Sequence, residues 1–355
     1  MTRMKLAVIV CAVLAVLVLA DCALSIIVYE DTFHQRFQTY EPLALWVEDF
    51  DGLQMTECQF PSDKGQMLTG YFYTYGEGQK GVVVMAHGYG GGGHNSYMNC
   101  ADYFARHGYY VFAFDVTGND KSEGDSVGGL PQGVIDLDRA ISFIEQDESF
   151  ADLKDLPVFL FGHSWGGYAV CAVLAFHPEV KAVIEMSGFN SSSDLFEAQG
   201  KQIVSGGIYV MLPFAKLWDS IKFGKYAAAT ALDGLKASDA AVMVVHSADD
   251  TIVPIAYGFE KYYAAYKDDP RFTFLPLEDR GHSYVYNDLT YIDEFNAGFD
   301  EWLKTLDYDY REDTERFAKD KAAYIETHLD RARWANNLDT ELFDTFVRFY
   351  DEHLQ

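Results

Sequence analysis

The chain has 355 residues, of which 49% are hydrophobic and 15% aromatic, enough to fill a large core and exclude whole-chain disorder. Against 27 basic residues stand 54 acidic ones, a formal charge of −27. A surface this acidic repels phosphate backbones, so no nucleic-acid partner is expected, and it argues against a polybasic grip on anionic lipid.

The N-terminus is apolar. Residues 6–20 are an unbroken apolar run, and after Asp21 and Cys22 that character resumes to Val28. Arg3 and Lys5 precede the run, and Glu30 and Asp31 follow it. Counted through Val28 the stretch is long enough for the about 20 residues a bilayer crossing needs. Residues 1–30 therefore read as a transmembrane anchor, with the basic end in the cytoplasm and the body on the extracytoplasmic side of the cell membrane. Two other readings stay open: a signal peptide cut after Ala20, or a lipoprotein cut before Cys22. The five cysteines (Cys11, Cys22, Cys58, Cys100 and Cys171) are odd in number and lack metal-type pair spacing, so free thiols are expected.

Between residues 57 and 306, strands and helices alternate. Residues 57–60 and 67–75 flank a turn-like Pro61-Ser62-Asp63-Lys64-Gly65 and predict an antiparallel hairpin. Residues 81–86, 109–114, 157–161, 181–186, 241–245 and 271–275 are short β-branched or aromatic runs, several apolar throughout. That is the pattern of strands buried on both faces of a parallel sheet. Residues 96–107, 132–145, 165–176, 255–266 and 291–306 predict the intervening helices. The fold class is α/β, a doubly wound and mostly parallel sheet. Residues 190–240 interrupt the rhythm without strand alternation and read as a helical cap insertion or lid. Residues 313–334 and 339–353 predict helices of a C-terminal extension, 309–355, packed on a 45–308 body.

Chemistry gathers at strand ends. Gly162-His163-Ser164-Trp165-Gly166 follows a strand and opens a helix, the context that G-x-S-x-G requires. Small residues two before and two after let the backbone approach itself in a sharp turn, which lifts the Ser164 hydroxyl above the sheet as a nucleophile. The helix start beneath it favours negative charge.

At this point residues 57–306 resemble the α/β-hydrolase family. The resemblance implies that His87-Gly88-Tyr89-Gly90-Gly91-Gly92-Gly93, after the 81–86 strand, lends one oxyanion-hole donor. The donors would be the backbone N–H groups of Tyr89 and Trp165, with His87 bracing the loop. The loop 115–124 (DVTGNDKSEG) is similar to a structural loop of the family. The family pattern D-x-x-V-P falls on Asp250 through Pro254 and makes Asp250 the acid, ahead of Asp249 and the more remote Asp194. His282, in Gly281-His282-Ser283 after the 271–275 strand, would be the base in the chain order Ser, Asp, His. Of the other histidines, His163 is expected beside the nucleophile turn, His246 at a strand end and His94 at the rim. His34, His107, His177, His328 and His353 are expected in solvent.

The resemblance implies a serine hydrolase acting on carboxylic esters through an acyl-enzyme, with no metal and no organic cofactor. The apolar insertion and the anchor lean toward a lipid-like acyl group. A peptidase or amidase with the same triad, and a membrane-tethered binding protein, remain as alternatives. Haloalkane or epoxide chemistry is disfavoured, because the family would then carry Asp where Ser164 stands.

Overall fold

The computed structural model describes residues 3–355. Its centre is one eight-stranded sheet in the order β1-β2-β4-β3-β5-β6-β7-β8. The strands are β1 Gln54–Pro61, β2 Met67–Thr74, β3 Val82–Ala86, β4 Tyr110–Phe114, β5 Val158–His163, β6 Ala182–Met186, β7 Ala241–Ser247 and β8 Phe272–Leu277. β1 and β2 form the expected hairpin, and β2 also runs antiparallel to β4; all other pairs are parallel. β3, β6 and β7 are buried along their whole length, which explains why their sequences do not alternate.

Thirteen helices are described. In chain order they are α1 Arg3–Phe33, α2 Met98–Arg106, α3 Pro131–Gln146, α4 Trp165–Ala172, α5 Ser192–Val204, α6 Ile208–Phe223 and α7 Lys225–Ala228. There follow α8 Ala231–Ala237, α9 Phe259–Tyr266, α10 Leu289–Leu303, α11 Thr314–His328, α12 Arg331–Ala335 and α13 Thr340–Asp351. Two apolar cores lie on opposite faces of the sheet. One joins α3, α4, α8 and α9 to the sheet, and the other joins α2 and α13 to it.

Three departures from the expected elements have local causes. The stretch 313–334 is two helices, because Asp330 leaves helical geometry and accepts from the Arg333 N–H to cap α12. The stretch 255–266 breaks at Gly258, whose backbone packs against Gly188 O so closely that a Cβ would lie 2.1 Å from it. The insertion 190–240 is helical, as α5 to α8, with Pro213 inside α6.

α1 is one continuous helix, long and apolar enough to cross a membrane. Through Ala20 it stands clear of the body. Beyond that, Ser25, Tyr29 and Phe33 are buried. Asp219 of α6 accepts a hydrogen bond from the Tyr29 hydroxyl, and Glu30 accepts from Trp218 Nε1 at 2.6 Å and Lys222 Nζ at 2.7 Å. The chain after α1 is tied down as well: the Arg36 guanidinium donates to the carbonyls of Gly124, Asp120 and Ser122.

Candidate active site

The turn between β5 and α4 is as tight as its glycines suggested. Ser164 has φ 58° and ψ −115°, a backbone conformation that side chains rarely adopt. A Cβ on Gly162 would lie 2.3 Å from Gly166 O, and one on Gly166 would lie 2.0 Å from Ala86 O. Only glycine permits the strand, the turn and the neighbouring β3 to pass this closely.

The structure brings Ser164, His282 and Asp250 together. Ser164 Oγ lies 2.8 Å from His282 Nε2, and His282 Nδ1 lies 2.6 Å from Asp250 Oδ2. The other Asp250 oxygen accepts from the Ile252 and Val253 N–H groups at 2.9 and 2.8 Å. Burial works to raise the Asp250 carboxyl, but hydrogen bonds from His246 and His282 prevail and hold it well below the usual carboxylate range. It is therefore an anion at neutral pH and fixes the His282 tautomer with Nδ1 as donor and Nε2 as acceptor toward the serine. Asp249 turns elsewhere, accepting from Ser247 Oγ at 2.5 Å and from Gly281 N at 3.0 Å. Asp194 is held by Lys261 on α9.

Facing Ser164 is the loop after β3. Among the described residues, the backbone N–H groups of Tyr89 and Trp165 have no acceptor. Trp165 begins α4, where helical N–H groups are free by geometry. Its indole Nε1 donates to Leu130 O at 2.7 Å and the ring is buried. His87 braces the loop as expected, its Nε2 accepting from the Val116 N–H at 3.0 Å.

Behind these residues lies a network no motif announced. Gly88 N donates to the Tyr97 hydroxyl at 3.1 Å, which donates to His163 Nδ1 at 2.8 Å. His163 Nε2 in turn donates to the carbonyl of His282 at 3.0 Å. Burial, reinforced by repulsion from His282, lowers His163 to about 3, so it is neutral and one chain of hydrogen bonds joins the glycine-rich loop to the backbone of His282. On the acid's far side, His246 Nε2 donates to Val253 O at 2.8 Å and lies 3.3 Å from Asp250 Oδ2. Nearby Glu185 is fully buried.

Ser164 and His282 open onto a cavity of about 350 Å³. Its walls come from the chain after α1 (Tyr40, Leu43, Leu45), from the loop after His282 (Tyr284, Tyr286) and from α12 (Trp334). No residue of 190–240 lines it; α5 of that insertion instead meets the acid's loop, where Gln199 Nε2 donates to Ile252 O at 2.5 Å and Gln202 Nε2 to Thr251 O at 3.1 Å. No Asp, Glu, Lys or Arg lines the cavity either. The histidine expectations need two corrections. His94 is buried and paired with Asp115 at 2.9 Å rather than placed at the rim. His177 is buried between Asp138 and Glu179, with a contact of 2.8 Å on each ring nitrogen, because carboxylates from α3 and the following turn enclose it.

A hydrolase family profile described as serine aminopeptidase, S33, matches residues 77–205. Among solved structures, an esterase from Pyrococcus furiosus aligns with 71% of this chain and 91% of its own, at a TM-score of 0.51 and 17% identity. An alpha-beta hydrolase from Vibrio vulnificus covers 69% and 81%, at 0.52 and 15%. The chain is an α/β-hydrolase in fold. Among curated proteins, caffeoylshikimate esterase of Arabidopsis thaliana is 30% identical over 120 residues, 33% of this chain and 35% of the relative. The match thus spans about a third of that relative's length.

Tyr97, Tyr284 and Trp334 were invisible to sequence reasoning. They sit in no motif and reach the site from segments far apart in the chain.

Proposed function

We propose that the protein is a membrane-anchored serine hydrolase that cleaves carboxylic esters. The observation that carries this reading is the unbroken Ser164–His282–Asp250 contact at the floor of an open cavity. In this reading His282 Nε2 takes the hydroxyl proton as Ser164 Oγ attacks the acyl carbon. The carbonyl oxygen becomes an oxyanion facing the N–H groups of Tyr89 and Trp165, each worth about 10²–10³ in rate at comparable sites. Collapse breaks the ester C–O bond, and the imidazolium returns its proton to the leaving alkoxide. Water, activated by the same imidazole, then attacks the acyl-enzyme and releases the acid.

The cavity supports a compact, neutral substrate. Tyr40, Tyr284, Tyr286 and Trp334 offer aromatic walls with polar tips, and no Asp, Glu, Lys or Arg is among the lining residues; the nearest cation on these rings, Lys321, lies 5.0 Å from the Tyr40 ring centroid. The apolar insertion that favoured a lipid-like acyl group does not reach this space. The name of the Arabidopsis relative and that of the Pyrococcus neighbour also favour ester cleavage. The description of the family profile favours a second reading, removal of an N-terminal amino acid. Against it, a substrate ammonium would find no carboxylate on the cavity wall.

The test is a fluorophosphonate probe on the full chain, followed by peptide mapping. The adduct is expected on Ser164 and lost in Ser164→Ala and His282→Ala; an unlabelled Ser164 in folded protein leaves only the binding-protein reading. A series of p-nitrophenyl esters of rising acyl length, run beside aminoacyl p-nitroanilides, then separates the two chemistries. Turnover is expected to peak at short or aromatic acyl groups, and faster cleavage of the anilides would reverse the assignment.

A further inference from the structure

The free part of α1 is too short to cross a bilayer by itself. Residues 6–20, the apolar run that is exposed throughout and clear of the body, measure about 22 Å at 1.5 Å per residue. A hydrocarbon core is about 30 Å thick. The missing length corresponds to about five further residues, which carries the crossing to Ser25. That stretch is not free: Ser25 is buried, Asp21, Cys22 and Ile26 are partly covered, and α6 is the helix against which α1 packs most extensively. The hydrocarbon boundary therefore falls where α6 lies alongside α1.

The composition of α6 and the turn before it suits that position. Val210, Leu217 and Ile221 are 60%, 55% and 65% exposed and repeat at helical spacing along one face. Tyr209 is exposed beside them, and the preceding Ile203 and Val204 at the end of α5 are exposed too. On the side toward α1, Trp218 and Lys222 meet Glu30. Tryptophan and lysine are the residues that favour the headgroup level. Charge agrees in part: between Ala198 and Ala229 this acidic chain carries Lys201, Lys216, Lys222 and Lys225 against Asp219, which is buried against Tyr29; Lys201 is paired with Glu197 at 2.6 Å and Lys222 with Glu30 at 2.7 Å, so Lys216 and Lys225 are the cations left for an anionic layer.

We infer that the exposed face of α6, with Ile203 and Val204, docks into an anionic bilayer beside the anchor and holds the body at a fixed height and tilt. The inference rests on the reading of α1 as a membrane-spanning helix. An anionic headgroup layer would otherwise be repelled by a body of this charge, so the lysine-bearing apolar patch is the one part of the insertion fitted to meet it. Burial of the α6 stripe at the acyl boundary is the geometry of an interfacial amphipathic helix.

The test uses the full chain with Cys11→Ala and Cys22→Ala, reconstituted in phosphatidylcholine vesicles containing phosphatidylglycerol. Nitroxide labels are placed singly through Leu217→Cys, Leu14→Cys and Lys304→Cys, and collisions with oxygen and with a water-soluble nickel chelate are read. The Leu217 label is expected to behave like the Leu14 label, with oxygen access high and chelate access lost, while the Lys304 label just after α10 stays open to the chelate. Chelate access at Leu217 equal to that at Lys304, with Leu14 protected, overturns the docking and spares the anchor. Protection of Leu217 from both reagents assigns the face to a protein partner and overturns the docking as well. Chelate access at Leu14 removes the anchor and the inference with it.

Discussion

Ser164 holds a left-handed backbone that only the surrounding turn enforces, at a cost of order 1–3 kcal/mol for a residue with a side chain. Ser164→Gly should therefore be more stable than Ser164→Ala by about 1 kcal/mol, read from paired denaturant melts in detergent. Equal stability would mean that the turn is unstrained. Glu185 is a second residue held out of its usual state. It is fully buried, and burial pushes its carboxyl from 4.5 up to about 7. The folded protein thus binds this proton more tightly than the unfolded chain does. Stability from this group is complete below about pH 4.5 and is lost as pH rises toward 7. Glu185→Gln should gain on the parent across that window, by up to about 3 kcal/mol at 1.4 kcal/mol per pH unit. A difference between the two proteins that stays constant from pH 4.5 to 7 would refute the assignment. Legibility at this scale followed motif. Ser164, Asp250 and His282 each stand just beyond a strand end in a short pattern, so the sequence brought them forward. Tyr97 contributes one hydroxyl from the start of a helix, a placement that no local pattern encodes.

α13 shows what periodicity can and cannot carry. Leu342, Phe343, Phe346, Val347, Phe349 and Tyr350 recur on a helical period, so an amphipathic helix was readable before any coordinates. Its docking place was not, because one apolar stripe fits several apolar surfaces until shape decides. In the structure Phe343 and Phe346 pack on Phe161, and the buried Tyr350 hydroxyl donates to Leu160 O at 2.7 Å on β5. Phe346→Ala should cost about 3–5 kcal/mol in chemical denaturation, as for a large ring removed from a closed core. A loss below about 1 kcal/mol would show that α13 adds little to the body. The insertion 190–240 teaches the same lesson in reverse. Its helical, apolar character was legible, but not its partners, which are α1 for α6 and α4 for α8, since the choice of face is made by distant residues such as Tyr29 and Asp219.

For the molecule as a whole, α1 reaches the site itself, so a bilayer that held α1, as proposed, would also set the position of the site. Tyr89 donates its hydroxyl to Thr32 O at 3.0 Å, and its ring meets Phe33 and Phe37, so the last turn of α1 touches the loop that faces Ser164. The full chain should remain in the membrane pellet through high salt and alkaline carbonate and leave only with detergent. Release by salt alone would contradict a spanning helix. In the proposed orientation Arg3 and Lys5 face the cytoplasm, so a membrane-impermeant fluorophosphonate should label Ser164 in intact cells, and labelling only after lysis would reverse that orientation. The bare electrostatics of the cavity also bear on turnover. The proposed ester cleavage would turn a neutral molecule into a carboxylate, yet no lysine or arginine lines the cavity to hold it, and the protein's charge of −27 would push it outward. A pocket hosting the proposed reaction would clear itself through that reaction, so the liberated acid should be a feeble inhibitor even when it accumulates.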